Sequence, residues 1–168
     1  GDMGADGGKA GPPGGDPMRR MGPGNEIDRA AHFMALNRNK RSIELNLKRP
    51  AAMAALHAMI AAADVLVISM RPSAAARLGL DYPSLAAGNP RLIHAAAAGY
   101  SQTGPDRDRP AYDDVIQGES GLAGMIGQAN GEVRYAPMAI ADKYCGSQLA
   151  SAIGMALFAR ERSGQGQA

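Results

Sequence analysis

Apolar and polar side chains alternate through residues 42–47, with Ile43, Leu45 and Leu47 on one face and Ser42, Glu44 and Asn46 on the other. A period of two predicts a half-buried strand. Pro50 then suits the first turn of a helix, where its missing N–H is unpaired anyway, and Met53, Leu56 and Ile60 follow at helical spacing as far as about Ala63. The run Val65-Leu66-Val67-Ile68 is continuously apolar and short, the pattern of a strand covered on both faces. Residues 74–78 and 82–87 each predict a single helical turn, stopped by Gly79 and by Gly88 with Pro90. Residues 92–98 predict a second buried strand whose small side chains let a helix or ligand come close.

Beyond Ala98 the periodicity is weaker. Asp113 or Asp114 can open a helix that runs to about Ile126, with Gly118, Gly121 and Gly124 recurring along it. Each glycine destabilises a helix by about 1 kcal/mol relative to alanine. The stripe therefore implies either close backbone packing or a helix shorter than drawn. Asn130-Gly131 marks a turn, residues 133–136 a short strand, and residues 143–162 a long helix that begins after Asp142 and stops at Ser163-Gly164. Strands alternating with helices predict an α/β, Rossmann-like architecture with a largely parallel sheet and flanking helices.

Residues 1–29 differ from this core. They are dense in Gly and Pro and lack periodicity, so they read as a loop, with residues 30–168 as the α/β core. The run Gly7-Gly8-Lys9-Ala10-Gly11 lacks the apolar side chains that a central parallel strand needs.

Composition narrows the classes. A chain of 168 residues can bury a real core, but its 45% hydrophobic share includes only 4% aromatics and much alanine, so that core is tight rather than large. The net charge of +2 is dispersed apart from Arg38, Lys40 and Arg41, which argues against a nucleic-acid partner while leaving cations for the phosphates of a nucleotide. One cysteine excludes an internal disulfide and suits a reducing compartment. No apolar run near membrane-spanning length and no secretory leader are visible, so the expectation is a cytoplasmic protein without membrane contact. His32, His57 and His94 show no metal-ligand spacing, and Cys145 has no neighbouring histidine to activate it, so it reads as a small apolar filler.

Asp142 reads from its position either as a plain helix N-cap or as a carboxylate able to do chemistry. It directly precedes the long predicted helix, where it can act as an N-cap. The positive end of the helix dipole also favours negative charge there, and an ionised carboxylate is the state that acts as a nucleophile. The two roles are compatible.

Several short motifs now fall into order. They are residues 37–45 (Asn-Arg-Asn-Lys-Arg-Ser-Ile-Glu-Leu), Asp64 with residues 65–68, Gly104-Pro105 followed by Arg109-Pro110-Ala111-Tyr112-Asp113, Ala139-Ile140-Ala141-Asp142, and residues 160–167 (Arg-Glu-Arg-Ser-Gly-Gln-Gly-Gln). With Gly4-Ala5-Asp6 and Pro13-Gly14-Gly15-Asp16-Pro17, this chain resembles the family III CoA-transferases, a group that also contains the alpha-methylacyl-CoA racemases. The resemblance runs along the whole chain and implies an internal piece of a longer protein: an incomplete large domain, truncated at its C-terminus, with residues 1–29 as the remnant of the first strand-helix unit.

The resemblance also implies roles. Asp142 falls on the catalytic aspartate, and Tyr112 and Asp113 on a supporting pair. Leu45, Lys48 and Arg77 fall on positions that line or contact CoA, and Ser69, Met70 and Arg71 follow a strand where α/β sheets place ligands. The implied activity is transfer of CoA from an acyl-CoA to a small carboxylic acid through an aspartyl anhydride and an aspartyl-CoA thioester, with no permanently bound cofactor and no metal. Racemases place a histidine where this chain has Tyr112, and a phenol with an ordinary pKa of about 10 is a poor base at neutral pH. Transferase is therefore preferred to a racemase-like isomerase. A non-catalytic CoA-binding fragment is the other alternative. Family members form interlocked homodimers, which is the implied assembly.

Overall fold

Residues 3–24 and 28–168 are described in the computed structural model of this chain, and among them the strands pair as two parallel ladders. Tertiary contacts divide the chain into units Gly1–Met59 and Ile60–Ala168.

In the first unit, β1 (Gly7–Gly11) pairs in parallel with β2 (Lys40–Glu44), from Gly7 opposite Lys40 to Gly11 opposite Glu44. The glycine-rich run expected to break the first strand therefore forms one. Its ladder is reinforced by polar links instead of apolar burial. The Lys9 ammonium pairs with Asp16 and donates to Asn37 Oδ1 at 3.1 Å, Arg41 pairs with Asp6 at 2.6 Å, and the Gly14 N–H donates to Glu44 Oε2 at 3.0 Å. The Arg19 guanidinium lies 4.1 Å over the ring of Phe33, which α1 (Ala31–Leu36) contributes as its buried residue. Residues 1, 2 and 25–27, part of the expected loop, lie outside the described residues.

The second strand sits earlier than the alternation of residues 42–47 predicts. β2 ends at Glu44 because Asn46 makes a turn, its Oδ1 accepting the Lys48 N–H at 3.1 Å and its carbonyl the Arg49 N–H at 2.8 Å. Every residue of β2 is exposed, Ile43 to 38%, whereas Leu45 just beyond it is buried. α2 (Pro50–Ala61) follows with Pro50 in its first turn, as predicted.

In the second unit, β3 (Val65–Ile68) pairs in parallel with β4 (Ile93–Ala96). Between them lie α3 (Pro72–Arg77) and α4 (Tyr82–Ala86). β4 holds the core: Ile93, His94 and Ala95 are buried and the adjacent Leu92 has 0% exposure. Its other edge is occupied too, since the His94 N–H donates to Gln167 O at 2.8 Å and the Gln167 N–H to Leu92 O at 3.1 Å. β3 is less covered than a continuous apolar run implies, with Val67 55% exposed. His94 is structural: its Nε2 meets Leu80 O at 2.9 Å and its ring stands edge-on to Tyr82.

Three elements complete the unit: α5 (Asp113–Glu119), α6 (Leu122–Asn130) and the 24-residue α7 (Ile140–Ser163). The single helix expected from Asp113 to Ile126 is thus two. Gly121 separates them at φ +80°, a left-handed conformation that glycine adopts without steric penalty. Residues 133–136 are not a strand, because among the described residues no strand pairs with them. Their backbone bonds go to α5 and α6: the Arg134 N–H donates to Ala123 O and the Ala136 N–H to the Gln117 side chain. At its far end α7 is tied down by Arg160, a buried guanidinium 2.9 Å from Asp64 Oδ1 and 3.1 Å from Arg91 O. No described helix is long and apolar enough to cross a membrane.

Candidate active site

The C-terminal ends of parallel strands leave a crevice where their connections diverge. Here the chain leaves β3 through Ser69 and β4 through residues 97–99, and both exits line a cleft of about 770 Å³. Tyr112, Ile116, Ile140, Asp142, Tyr144 and Cys145 line it as well, so α5 and α7 supply much of the remaining described wall, with Leu122 at the start of α6. Gly99 permits this closure. A Cβ there would stand 2.3 Å from Ala111 Cβ and 2.8 Å from Ile116 Cδ1, well inside contact distance.

Asp142 is exposed on this cleft, in the first turn of α7. The helix begins earlier than its sequence pattern predicts: Ala139 is the N-cap residue and makes no side-chain cap, so Asp142 is not the cap. Another residue does that work from a distance. Asp113, in the first turn of α5, accepts the backbone N–H of Asp142 at 2.9 Å through its Oδ2. Partial burial pushes the Asp113 carboxyl upward, but the N–H of Asp142, the amide of Gln117 and the N–H of Ala141 outweigh it and hold the group below the usual aspartate value. The remaining donors of the turn are also engaged, Ile140 N–H with Met138 O at 2.8 Å and Lys143 N–H with Ala139 O at 3.3 Å.

Tyr112 precedes α5 as its N-cap residue and is exposed on the same cleft. Ser69, Met70 and Arg71 line a smaller cleft of about 70 Å³ beside it, with Gly99, Tyr100, Arg107 and Arg109. Arg71 Nη1 donates to Asp108 O at 3.3 Å, and Asp108 Oδ1 accepts the Ser73 N–H at 3.0 Å, which holds the 104–109 loop against α3. Arg109 stacks on Tyr100 and pairs with Glu119 at 2.7 Å. Arg77 lies exposed in the last turn of α3, outside the lining of both clefts. Leu45, buried, and Lys48, exposed, belong to the Gly1–Met59 unit. The structure therefore brings Ser69, Tyr112 and Asp142 onto one cleft, with Asp113 bonded to the Asp142 backbone.

Gln117 was not among the expected site residues. It is the most buried polar side chain described, at 1% exposure, and it joins Asp113 to the segment that leads into α7. The only sequence signal for it is its spacing four residues after Asp113, one helical turn along the same face.

The family profile described as CoA-transferase family III matches residues 1–168. A succinate–glutarate CoA-transferase of Agrobacterium fabrum is 40% identical over 99% of this chain and 43% of its own length. An acetyl-CoA:oxalate CoA-transferase of Acetobacter aceti is 41% identical over 98% of the chain and 43% of its own length. The crystal structure of a CAIB/BAIF family protein from Brucella suis superposes with a TM-score of 0.91 at 36% identity, covering 99% of this chain and 45% of that one. The chain thus spans less than half the length of the curated relatives it matches.

Proposed function

This chain belongs to CoA-transferase family III, and from that premise we propose that the protein carrying it transfers CoA from an acyl-CoA to a small carboxylic acid, with Asp142 as nucleophile. The observation that carries the reading is an exposed carboxylate in the first turn of a 24-residue helix, facing a cleft at the ends of two parallel strands. Negative charge is favoured there by the helix dipole.

An Asp142 oxygen attacks the thioester carbonyl, the C–S bond breaks, and an acyl–Asp142 anhydride and CoA thiolate result. The thiolate then attacks the Asp142 carbonyl, releasing the donor acid and leaving an Asp142–CoA thioester. An acceptor carboxylate attacks this thioester and repeats the two steps in reverse order, which frees a new acyl-CoA and the Asp142 carboxylate. No redox change and no net proton transfer is required. Every step passes through an oxyanion, and these need donors other than the first-turn N–H groups of α7, which are already bonded. Tyr112 lines the same cleft, and its hydroxyl is assigned this role. Leu45, Lys48, Ser69, Met70, Arg71 and Arg77 are assigned to the CoA moiety, the cations toward its phosphates. The enzyme is read as a cytoplasmic homodimer with CoA as a substrate and no resident cofactor.

The test is hydroxylamine trapping in the full-length protein incubated with acyl-CoA, followed by peptide mass spectrometry. A hydroxamate at position 142 is expected, and Asp142→Ala is expected to abolish transfer with CoA affinity little changed. Near-normal turnover in that variant would falsify the mechanism.

A further inference from the structure

A buried amide is tolerated only when its donors and acceptor are matched. Gln117 meets that condition with partners from two directions. Its Oε1 accepts the Ala136 N–H at 2.8 Å, and its Nε2 donates to Met138 O at 3.3 Å and to Asp113 Oδ1. The first two bonds hold residues 136–138, the segment that delivers the chain to α7 at Ile140. The third orients the Asp113 carboxylate, whose other oxygen holds the Asp142 N–H. α7 has no side-chain cap of its own, so these bonds locate its first turn from the side of α5.

We infer that Gln117 is a positioning residue for the transfer reaction: through Asp113 and residues 136–138 it sets where the Asp142 carboxylate stands relative to Tyr112 and the cleft. The inference rests on Asp142 being the nucleophile. It assigns Gln117 no contact with substrate. Its effect is on the geometry of attack, where a displacement near 1 Å lowers rate by about a hundredfold.

The experiment uses two variants of the full-length protein. Gln117→Met keeps the volume and removes all three bonds. Gln117→Glu keeps the acceptor for Ala136 and turns the donor facing Asp113 into a second carboxylate. Both are expected to lower kcat by about tenfold to a hundredfold with KM for acyl-CoA within about twofold of wild type. Hydrogen–deuterium exchange read by peptide mass spectrometry should quicken at the amides of Ala141 and Asp142 and stay unchanged in residues 65–68 and 93–96. A folded variant with wild-type kcat overturns the proposal. So does a loss of kcat accompanied by lost protection in the strands, or failure of both variants to fold, because either places the weight of Gln117 in global stability. If the wild-type protein transfers no CoA while the exchange pattern follows expectation, the Asp142 mechanism fails and the anchoring of its turn by Gln117 stands.

Discussion

The two parallel ladders of this chain are alike in hydrogen bonding and opposite in what surrounds it. β3 and β4 are Val-Leu-Val-Ile beside Ile-His-Ala-Ala, and β4 is buried along most of its length. β1 and β2 are Gly-Gly-Lys-Ala-Gly beside Lys-Arg-Ser-Ile-Glu, with β2 exposed throughout. The first pair removes apolar surface from water, whereas the second carries ion pairs beside its ladder and a cation resting on an aromatic ring in the same unit. A parallel pair of strands therefore forms here without apolar strand sequences, its ladder bonds running from Gly7 to Gly11.

That contrast is open to direct attack, all in the full-length protein by denaturant unfolding. Leu92→Ala, at a site with 0% exposure beside β4, is expected to cost about 2–5 kcal/mol. Ile43→Ala on β2 is expected to cost less than about 1 kcal/mol, and equal costs at the two sites would erase the distinction. Gly99→Ala is expected to cost about 1–3 kcal/mol, because its new methyl must displace Ala111 and Ile116. It should also lower kcat, since those residues adjoin Tyr112.

In the other ladder, a double-mutant cycle on Lys9 and Asp16 is expected to give a coupling of about 1 kcal/mol or less. Burial pushes the Asp16 carboxyl upward, but the Lys9 ammonium and the Met18 N–H outweigh it and depress the folded-state pKa below the ordinary value of 3.8. The pair therefore stabilises the first unit above that pH, and its contribution is lost as pH falls through the lower folded value. Asp16→Asn should flatten this acid limb. Arg41→Ala, which breaks an ion pair exposed on both sides, is expected to change stability by no more than about 0.5 kcal/mol. A larger effect there would mean that the exposed ladder is organised by charge more strongly than its solvent access implies.

Legibility in the sequence followed the same divide. β3 coincides with the apolar run at residues 65–68, and α2 begins at Pro50 as its position predicts. The turns at α3 and α4 stop near the expected glycines. In each case the signal is local: a burial face, a cap or a backbone conformation written in neighbouring residues. β1 is not legible in its own residues because the groups that hold it lie on Asp16, Asn37 and β2. The break at Gly121 was one of two readings that the glycine stripe left open, and φ +80° decides between them.

At the candidate site, Tyr112, Asp113 and Asp142 stand out in the sequence only as a motif and an acidic residue before a helix. What joins them is the Asp113–Asp142 bond, between residues 29 apart, and the buried amide of Gln117. Side-chain type and spacing alone determined the α/β class and the apolar centre near β4, whereas the family motifs single out Tyr112, Asp113 and Asp142. Only tertiary structure decided that a glycine-rich run is a strand, that α7 starts at Ile140, and that its first turn is capped by a carboxylate from another helix. Periodicity records which face leaves water, whereas the pairing of polar groups depends on which distant segment arrives beside them.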